Sequence, residues 1–85
     1  MNAITVFKTV LTDGCQLVRP RKNAPGEYDC KHFAEGGNKK GWAYVDHVTA
    51  NAVITVFNAL NETNQAKLAK LPLNKIVTVC WKLIK

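Results

Sequence analysis

The chain has 85 residues, and its twelve Lys and Arg against six Asp and Glu give a formal net charge of +6 at pH 7. A hydrophobic fraction of 47% is enough for a globular core, which excludes disorder as the default state. No apolar run reaches the roughly 18 residues of a membrane-spanning helix, and no signal-peptide pattern is visible. We therefore expect one small, soluble, cytoplasmic domain over residues 1–85.

The positive charge is concentrated in two segments, residues 19–41 and residues 61–85. The residues between them, 42–60, carry Asp46 as their single charged side chain. A clustered positive excess favours anionic partners through long-range attraction, although it also aids solubility. The three cysteines are an odd number, which argues against a complete disulfide framework.

The first residues of the chain predict a β-hairpin. Residues 3–11 are rich in β-branched side chains, which is typical of a strand. Asp13-Gly14 follows, a strong signal for a tight turn, so residues 15–18 are expected to return as the second strand.

Two more strands are predicted before residue 46. Residues 28–34 alternate with a period of two, which places Lys31 and Phe33 on one face of a half-buried strand. A polar tip over residues 36–41 separates it from a short aromatic strand over residues 42–45. The sheet-rich half, about residues 1–46, is therefore expected to be an antiparallel meander of about four strands.

The second half, about residues 47–85, changes to helical spacing. A nearly uncharged helix is predicted over residues 50–60, with Asp46 or Thr49 as its N-cap. Residues 51–57 resemble residues 2–7, but no period recurs, so the sequence does not indicate a repeat. We expect the two similar segments to adopt different structures.

Two further elements are predicted after this helix. Asn61 can cap a short helix that ends before Pro72. Residues 74–84 fit a helix or a strand, and their lysine stripe favours the helix over the β-branched strand pattern. The predicted fold class is α+β, a small N-terminal antiparallel β-meander packed against two or three C-terminal helices.

The leading functional candidate is a basic-aromatic cluster. Aromatic side chains exposed on a sheet can stack bases while Lys and Arg contact the phosphates. The same aromatics can also serve as core packing, and no RNA-recognition signature of the aromatic type appears in these strands. The candidate nucleic-acid or anion-binding residues are Arg19, Arg21, Lys22, Lys31, Lys39, Lys40, Trp42 and Tyr44.

A secondary basic face is predicted on the C-terminal helices. Two short helices invite a helix-turn-helix interpretation, but the last segment is too apolar to read base edges. The stripe is either a solvated helix face or a phosphate-contacting surface without base recognition. Its residues are Lys67, Lys70, Lys75 and Lys82.

Metal and catalytic chemistry receive weaker support. Cys15, Cys30, His32 and His47 could supply four zinc ligands, but they form no paired-ligand motif, and the alternative is ordinary packing. No nucleophile elbow, phosphate-binding loop or metalloprotease motif is present. We therefore expect no cofactor and no enzyme activity.

Three functional hypotheses follow from the sequence. The first is a non-enzymatic basic binding module whose partner is nucleic acid or another anion, such as an acidic protein surface. The second is a protein-binding modulator or inhibitor acting on a host protein, of a size typical of accessory proteins from phages or mobile elements. Excess apolar helix surface would then be its docking face or a homodimer seam. The third is a zinc-stabilised domain, and no membrane partner is expected.

Overall fold

The protein is an α+β domain, as a computed structural model shows for residues 1–34 and 40–84. Within these residues the chain forms one three-stranded antiparallel sheet and four helices. This confirms the α+β class, but the chain begins with a helix and the sheet has three strands in place of about four. The elements are α1 Ala3–Asp13, β1 Gln16–Pro20, β2 Tyr28–His32, β3 Ala43–Val45, α2 His47–Ala59, α3 Glu62–Ala69 and α4 Leu73–Ile84.

The first element is a helix, so the strand predicted over residues 3–11 is wrong. The side chain of Asn2 caps α1, because its Oδ1 accepts a hydrogen bond from the Thr5 backbone N at 2.8 Å. The helix buries Ile4, Phe7 and Val10 on one face. Their spacing of three residues is helical, and the burial of that face outweighs the weak strand preference of β-branched residues.

The predicted hairpin turn at Asp13-Gly14 is instead the end of α1. Gly14 has φ +93°, and its backbone N–H donates to the Val10 carbonyl at 2.9 Å. Glycine suits a helix C-terminus and a tight hairpin alike because both conformations need a positive φ. The predicted return strand is therefore β1, the first strand of the sheet.

β1 lies in the centre of the sheet, with β2 on one side and β3 on the other. The order β2-β1-β3 replaces the predicted four-stranded meander, although β2 and β3 fall where strands were predicted. Leu17 is opposite Lys31 on β2 and Tyr44 on β3. Val18 is opposite Cys30 and Ala43, on the other face of the sheet.

The core lies between one face of the sheet and the helices. Val18, Tyr28 and Val45 contribute to it from the strands. Phe7 of α1 and Ile76 of α4 are fully buried against them in the same cluster. The opposite face of the sheet therefore carries the side chains that alternate with these core residues.

The helical half follows the sequence prediction closely. Asp46 caps α2 and Asn61 caps α3, each through a side-chain oxygen that accepts a backbone N–H three residues later. Residues 74–84 are helical, which confirms the helix that the lysine stripe favoured. In the described part of the chain, no helix is both long and apolar enough to cross a membrane.

The start of α4 is held by the sheet. Pro72 precedes the helix and has no side-chain acceptor for the first helical N–H groups. The hydroxyl of Tyr28, on β2, accepts a hydrogen bond from the Leu73 backbone N at 3.0 Å. This bond joins the strand to the first turn of the last helix.

Candidate nucleic-acid interface

One face of the sheet points away from the helices, and we call it the outer face. Directly opposite residues of antiparallel strands share a face, so the register defines its membership. Leu17 lies at its centre and is buried beneath its neighbours. The other residues of the outer face are Arg19, Asp29, Lys31, Phe33, Trp42 and Tyr44.

Two cations on the outer face lie against one indole ring. The Arg19 Cζ is 4.4 Å from the centroid of the Trp42 ring, and the Lys31 Nζ is 4.6 Å from it. Both distances are within the roughly 6 Å at which a cation is attracted to an aromatic ring. Arg19 and Lys31 come from different strands, so Trp42 brings their charges together.

Asp29 holds two arginines at the same end of the outer face. The Arg21 Nε donates to Asp29 Oδ1 at 3.0 Å, and the Arg19 Nε is 3.6 Å from Oδ2. The hydrogen bond from Arg21, together with the charges of both arginines, lowers the pKa of Asp29 against the opposing effect of burial. Each guanidinium has five N–H donors, so donors not directed at Asp29 remain for a phosphate.

An aromatic pair occupies the other end of the outer face. The rings of Phe33 and Tyr44 meet edge to face, with centroids 4.8 Å apart and an interplanar angle of 62°. Their side chains are 41% and 52% exposed, respectively. A hydrogen bond with Cys15 raises the pKa of Tyr44, with burial as the next cause. The pair therefore offers neutral, accessible ring surface.

The outer face thus has a cationic end and an aromatic end. Arg19 is four residues from Cys15, whose carbonyl accepts a hydrogen bond from the Phe33 N at 3.0 Å. At a strand rise of about 3.3 Å per residue, the two ends are about 13 Å apart. The antiparallel register also brings Lys22, after β1, and Lys40, before β3, to the cationic end, where both are exposed.

The structure places most of the predicted cluster on or beside one surface. Arg19, Lys31 and Trp42 are in contact, and Tyr44 is on the same face. Lys39 lies outside the described residues. Phe33 is absent from the predicted binding residues, although the alternation of residues 28–34 already placed it on the same face as Lys31.

The predicted secondary basic face is a separate surface in the helical half. Lys67 and Lys70 belong to the end of α3, and Lys75 and Lys82 belong to α4. All four side chains are exposed. The start of α4 adjoins the strand that carries Arg19, because Pro72, Leu73 and Asn74, just before Lys75, line one cavity with it.

The predicted zinc ligands have other neighbours. The Cys30 Sγ is 3.6 Å from the Met1 Sδ, and burial raises the pKa of the Cys30 thiol. The Nδ1 of His32 accepts a hydrogen bond from the Ala34 backbone N at 3.0 Å. Among residues 1–34 and 40–84, no three His, Cys, Asp or Glu side chains are grouped as a metal ion would require.

Comparisons of this chain with models of protein families, with curated proteins and with solved structures give no match. Function is therefore inferred from the geometry and chemistry of the surfaces described above.

Proposed function

We propose that the protein is a non-enzymatic nucleic-acid-binding module that binds a short single-stranded segment on its outer face. The observation that supports this most strongly is the contact of Arg19 and Lys31 with Trp42, next to an exposed aromatic pair. The face combines cations that can follow a phosphate backbone with rings on which bases can stack.

A single strand fits the outer face better than a duplex. Duplex sequence is read by elements that enter a groove, whereas the outer face, in residues 1–34 and 40–84, is an open sheet surface without a projecting helix. The bases of a single strand expose their own ring faces and can stack on Phe33 and Tyr44. In this arrangement Arg19 and Arg21 contact phosphates at the cationic end.

The size of the outer face sets the number of bases that it can bind. Its length of about 13 Å and its single aromatic pair suit one or two stacked bases. Stacking accepts every base, so we expect binding with little sequence preference. The open shape of the face also fits a binding surface better than an enclosed active site.

The proposal is tested by fluorescence anisotropy with labelled 12-nucleotide single strands of DNA and RNA and with a duplex of the same length. We expect tighter binding to the single strands. If about three phosphates are contacted, affinity should fall with salt with a log–log slope of about −2. The double variant Arg19→Ala/Arg21→Ala should bind about tenfold or more weakly, because charge-assisted hydrogen bonds to phosphate are lost.

The matched control is Lys67→Ala/Lys70→Ala, which removes the same charge from the helical half. Its affinity for the single strands should stay within about twofold of the parent protein. Equal losses in the two double variants would show that net charge, and not the outer face, determines binding. No binding to any strand at low salt would refute the proposal outright.

A further inference from the structure

A second surface lies in the helical half, where α3 and α4 form the walls of an apolar groove. The groove has a volume of about 400 Å³. This is within the range of about 300–1,000 Å³ that is common for binding sites. Its lining is Leu60, Asn64, Lys67, Leu68, Leu71, Val79 and Leu83.

The apolar lining of the groove is only partly covered by the protein itself. Val79 and Leu83 are four residues apart on α4 and so lie on one side of that helix. Ile76 and Cys80 of the same helix are fully buried in the core. Leu83, in contrast, is 59% exposed, so part of the apolar lining faces solvent.

Lysines flank the groove on both walls. Helical spacing puts Lys75 and Lys82 beside Val79, on the side of α4 away from the core. Lys67 lines the groove from α3, and Lys70 follows it three residues later. Between residues 60 and 84 the chain has a single acidic residue, Glu62, at the start of α3. The groove is therefore aliphatic at its floor and strongly cationic at its rim.

We propose that this groove binds an acidic amphipathic helix of a partner protein. A helix in a groove inserts apolar side chains at positions i, i+3 or i+4, and i+7, and its polar face remains at the rim. Glutamates and aspartates beside those positions would meet the four lysines. The 12 residues of α4 extend over about 18 Å, which suits about three turns of a bound helix.

Charge and chemistry distinguish this partner from other occupants. A second copy of the chain docked groove to groove would bring four lysines against four lysines, which opposes association. A nucleic acid would find no arginine and no aromatic ring in the groove lining. The groove is a different surface from the outer face, so binding of a helix there does not depend on nucleic-acid binding.

The probe is a fluorescein-labelled 14-residue peptide with leucines at i, i+3, i+7 and i+10 and glutamates at most other positions. We expect saturable binding in an anisotropy titration with the full chain. A peptide of the same pattern with lysines in place of glutamates should bind at least tenfold more weakly. Amide chemical-shift changes should fall on α3 and α4 and spare β1.

Two variants test the floor and the rim separately. Leu83→Asp places a charge at an exposed floor position and should weaken the peptide complex at least tenfold. Lys67→Glu/Lys82→Glu keeps every leucine and valine of the groove and reverses two rim charges, so it should have an effect of similar size. It keeps the test valid if the first variant is poorly folded. Arg19→Ala/Arg21→Ala is the control and should leave peptide affinity within about twofold.

Several results would overturn the proposal. One is no binding of the glutamate peptide at several hundred micromolar, and another is equal binding of the lysine peptide. Tighter binding to phosphatidylglycerol vesicles, abolished by Leu83→Asp, would reassign the groove to a membrane surface. Concentration-dependent dimerisation in analytical ultracentrifugation, abolished by the same variant, would reassign it to a second copy.

Discussion

The outer face and the α3–α4 groove are both cationic, yet they differ in nearly every other respect. The outer face combines arginines with aromatic rings, and among its described residues the carboxylate of Asp29 fixes two of its cations. The groove combines lysines with aliphatic side chains, and no carboxylate lines it. A net charge of +6 therefore describes two surfaces with different chemistry.

The two surfaces differ because arginine and lysine side chains have different chemistry. Arginine has a planar guanidinium that stacks on rings and binds phosphate through paired hydrogen bonds. Lysine is a compact charge on a flexible apolar stem, and that stem can lie along an aliphatic surface while the ammonium stays in water. Arg19 and Trp42 thus suit a nucleic acid, whereas Lys67 and Leu83 suit an acidic amphipathic helix.

Of the three effects predicted below, the largest is the loss of single-strand affinity on removal of an aromatic ring. Tyr44→Ala should weaken single-strand binding by about 1–3 kcal/mol, or at least about fivefold, because base–aromatic stacking is lost. Its affinity for the acidic peptide should not change, since the groove contains no aromatic side chain. Both affinities are measured by the anisotropy titrations described above.

Tyr44→Phe is the matched control for that substitution. It keeps the ring and removes the hydroxyl that interacts with Cys15, so single-strand affinity should stay within about twofold. A loss as large as that of the alanine variant would show that the hydroxyl, and not stacking, matters. Base stacking would then not account for binding at the outer face.

A smaller effect on affinity is expected when arginines of the outer face are replaced by lysines and lysines of the groove by arginines. Arg19→Lys/Arg21→Lys preserves charge but removes guanidinium stacking and paired hydrogen bonds, so single-strand affinity should fall by about 1 kcal/mol, or about fivefold. Lys67→Arg/Lys82→Arg should leave peptide affinity within about twofold, because the rim acts through charge alone. Titrations in the same buffer compare the two exchanges.

Equal responses of the two surfaces to these substitutions would contradict this distinction. If both exchanges leave affinity unchanged, the outer face also acts only through charge. If both reduce affinity equally, the lysines of the groove make directional contacts that its geometry does not require. Circular dichroism melting curves establish that each double variant is folded as the parent protein is.

Much of the fold follows from local signals in the sequence. The main error of the prediction, the strand expected over residues 3–11, has a physical cause. Residues 2–7 and 51–57 are nearly the same string, and the prediction gave them different structures. Both are helical, and the two helices pack against each other. Both segments are rich in β-branched residues and both are helical, so burial along one helical face outweighs the strand preference of these residues.

Helix-capping residues indicated the secondary structure better than the amino-acid composition of the segments did. Asn2 begins α1 as Asn61 begins α3, through the same side-chain hydrogen bond to the third following residue. Gly14 ends α1, but a glycine after an aspartate is equally suited to a hairpin. Asp13-Gly14 therefore could not separate a helix end from a hairpin, whereas the cap at Asn2 and the helical spacing of Ile4 and Phe7 favour the helix.

The two surfaces were predictable to different degrees. The period of two in residues 28–34 correctly placed Lys31 with Phe33, since strand alternation is a local property. The pairing of Arg19 with Trp42 depends on which strands are neighbours, and the order β2-β1-β3 is a tertiary property. The groove depends on how α3 and α4 are placed relative to each other, and no local pattern in the sequence specifies that placement.

The smallest expected effect on binding concerns the connection between the two surfaces. Tyr28 precedes Asp29 on the strand that bears part of the outer face, and its hydroxyl accepts the Leu73 N–H at the start of α4. Tyr28→Phe removes this acceptor from a partly buried N–H. The free energy of unfolding should therefore fall by about 1 kcal/mol, which lowers the melting temperature of a domain of this size by about 4–8 °C.

Urea denaturation measures this loss, and Tyr44→Phe again provides the comparison, because its exposed hydroxyl should contribute less to stability. In the absence of urea, Tyr28→Phe should bind both the single strand and the acidic peptide with unchanged affinity, since Tyr28 belongs to neither surface. Unchanged stability would show that water replaces the hydroxyl at Leu73. Selective loss of peptide binding would mean that Tyr28 positions α4 locally, so that the groove opens independently of the sheet, and the two surfaces would then not share one rigid scaffold.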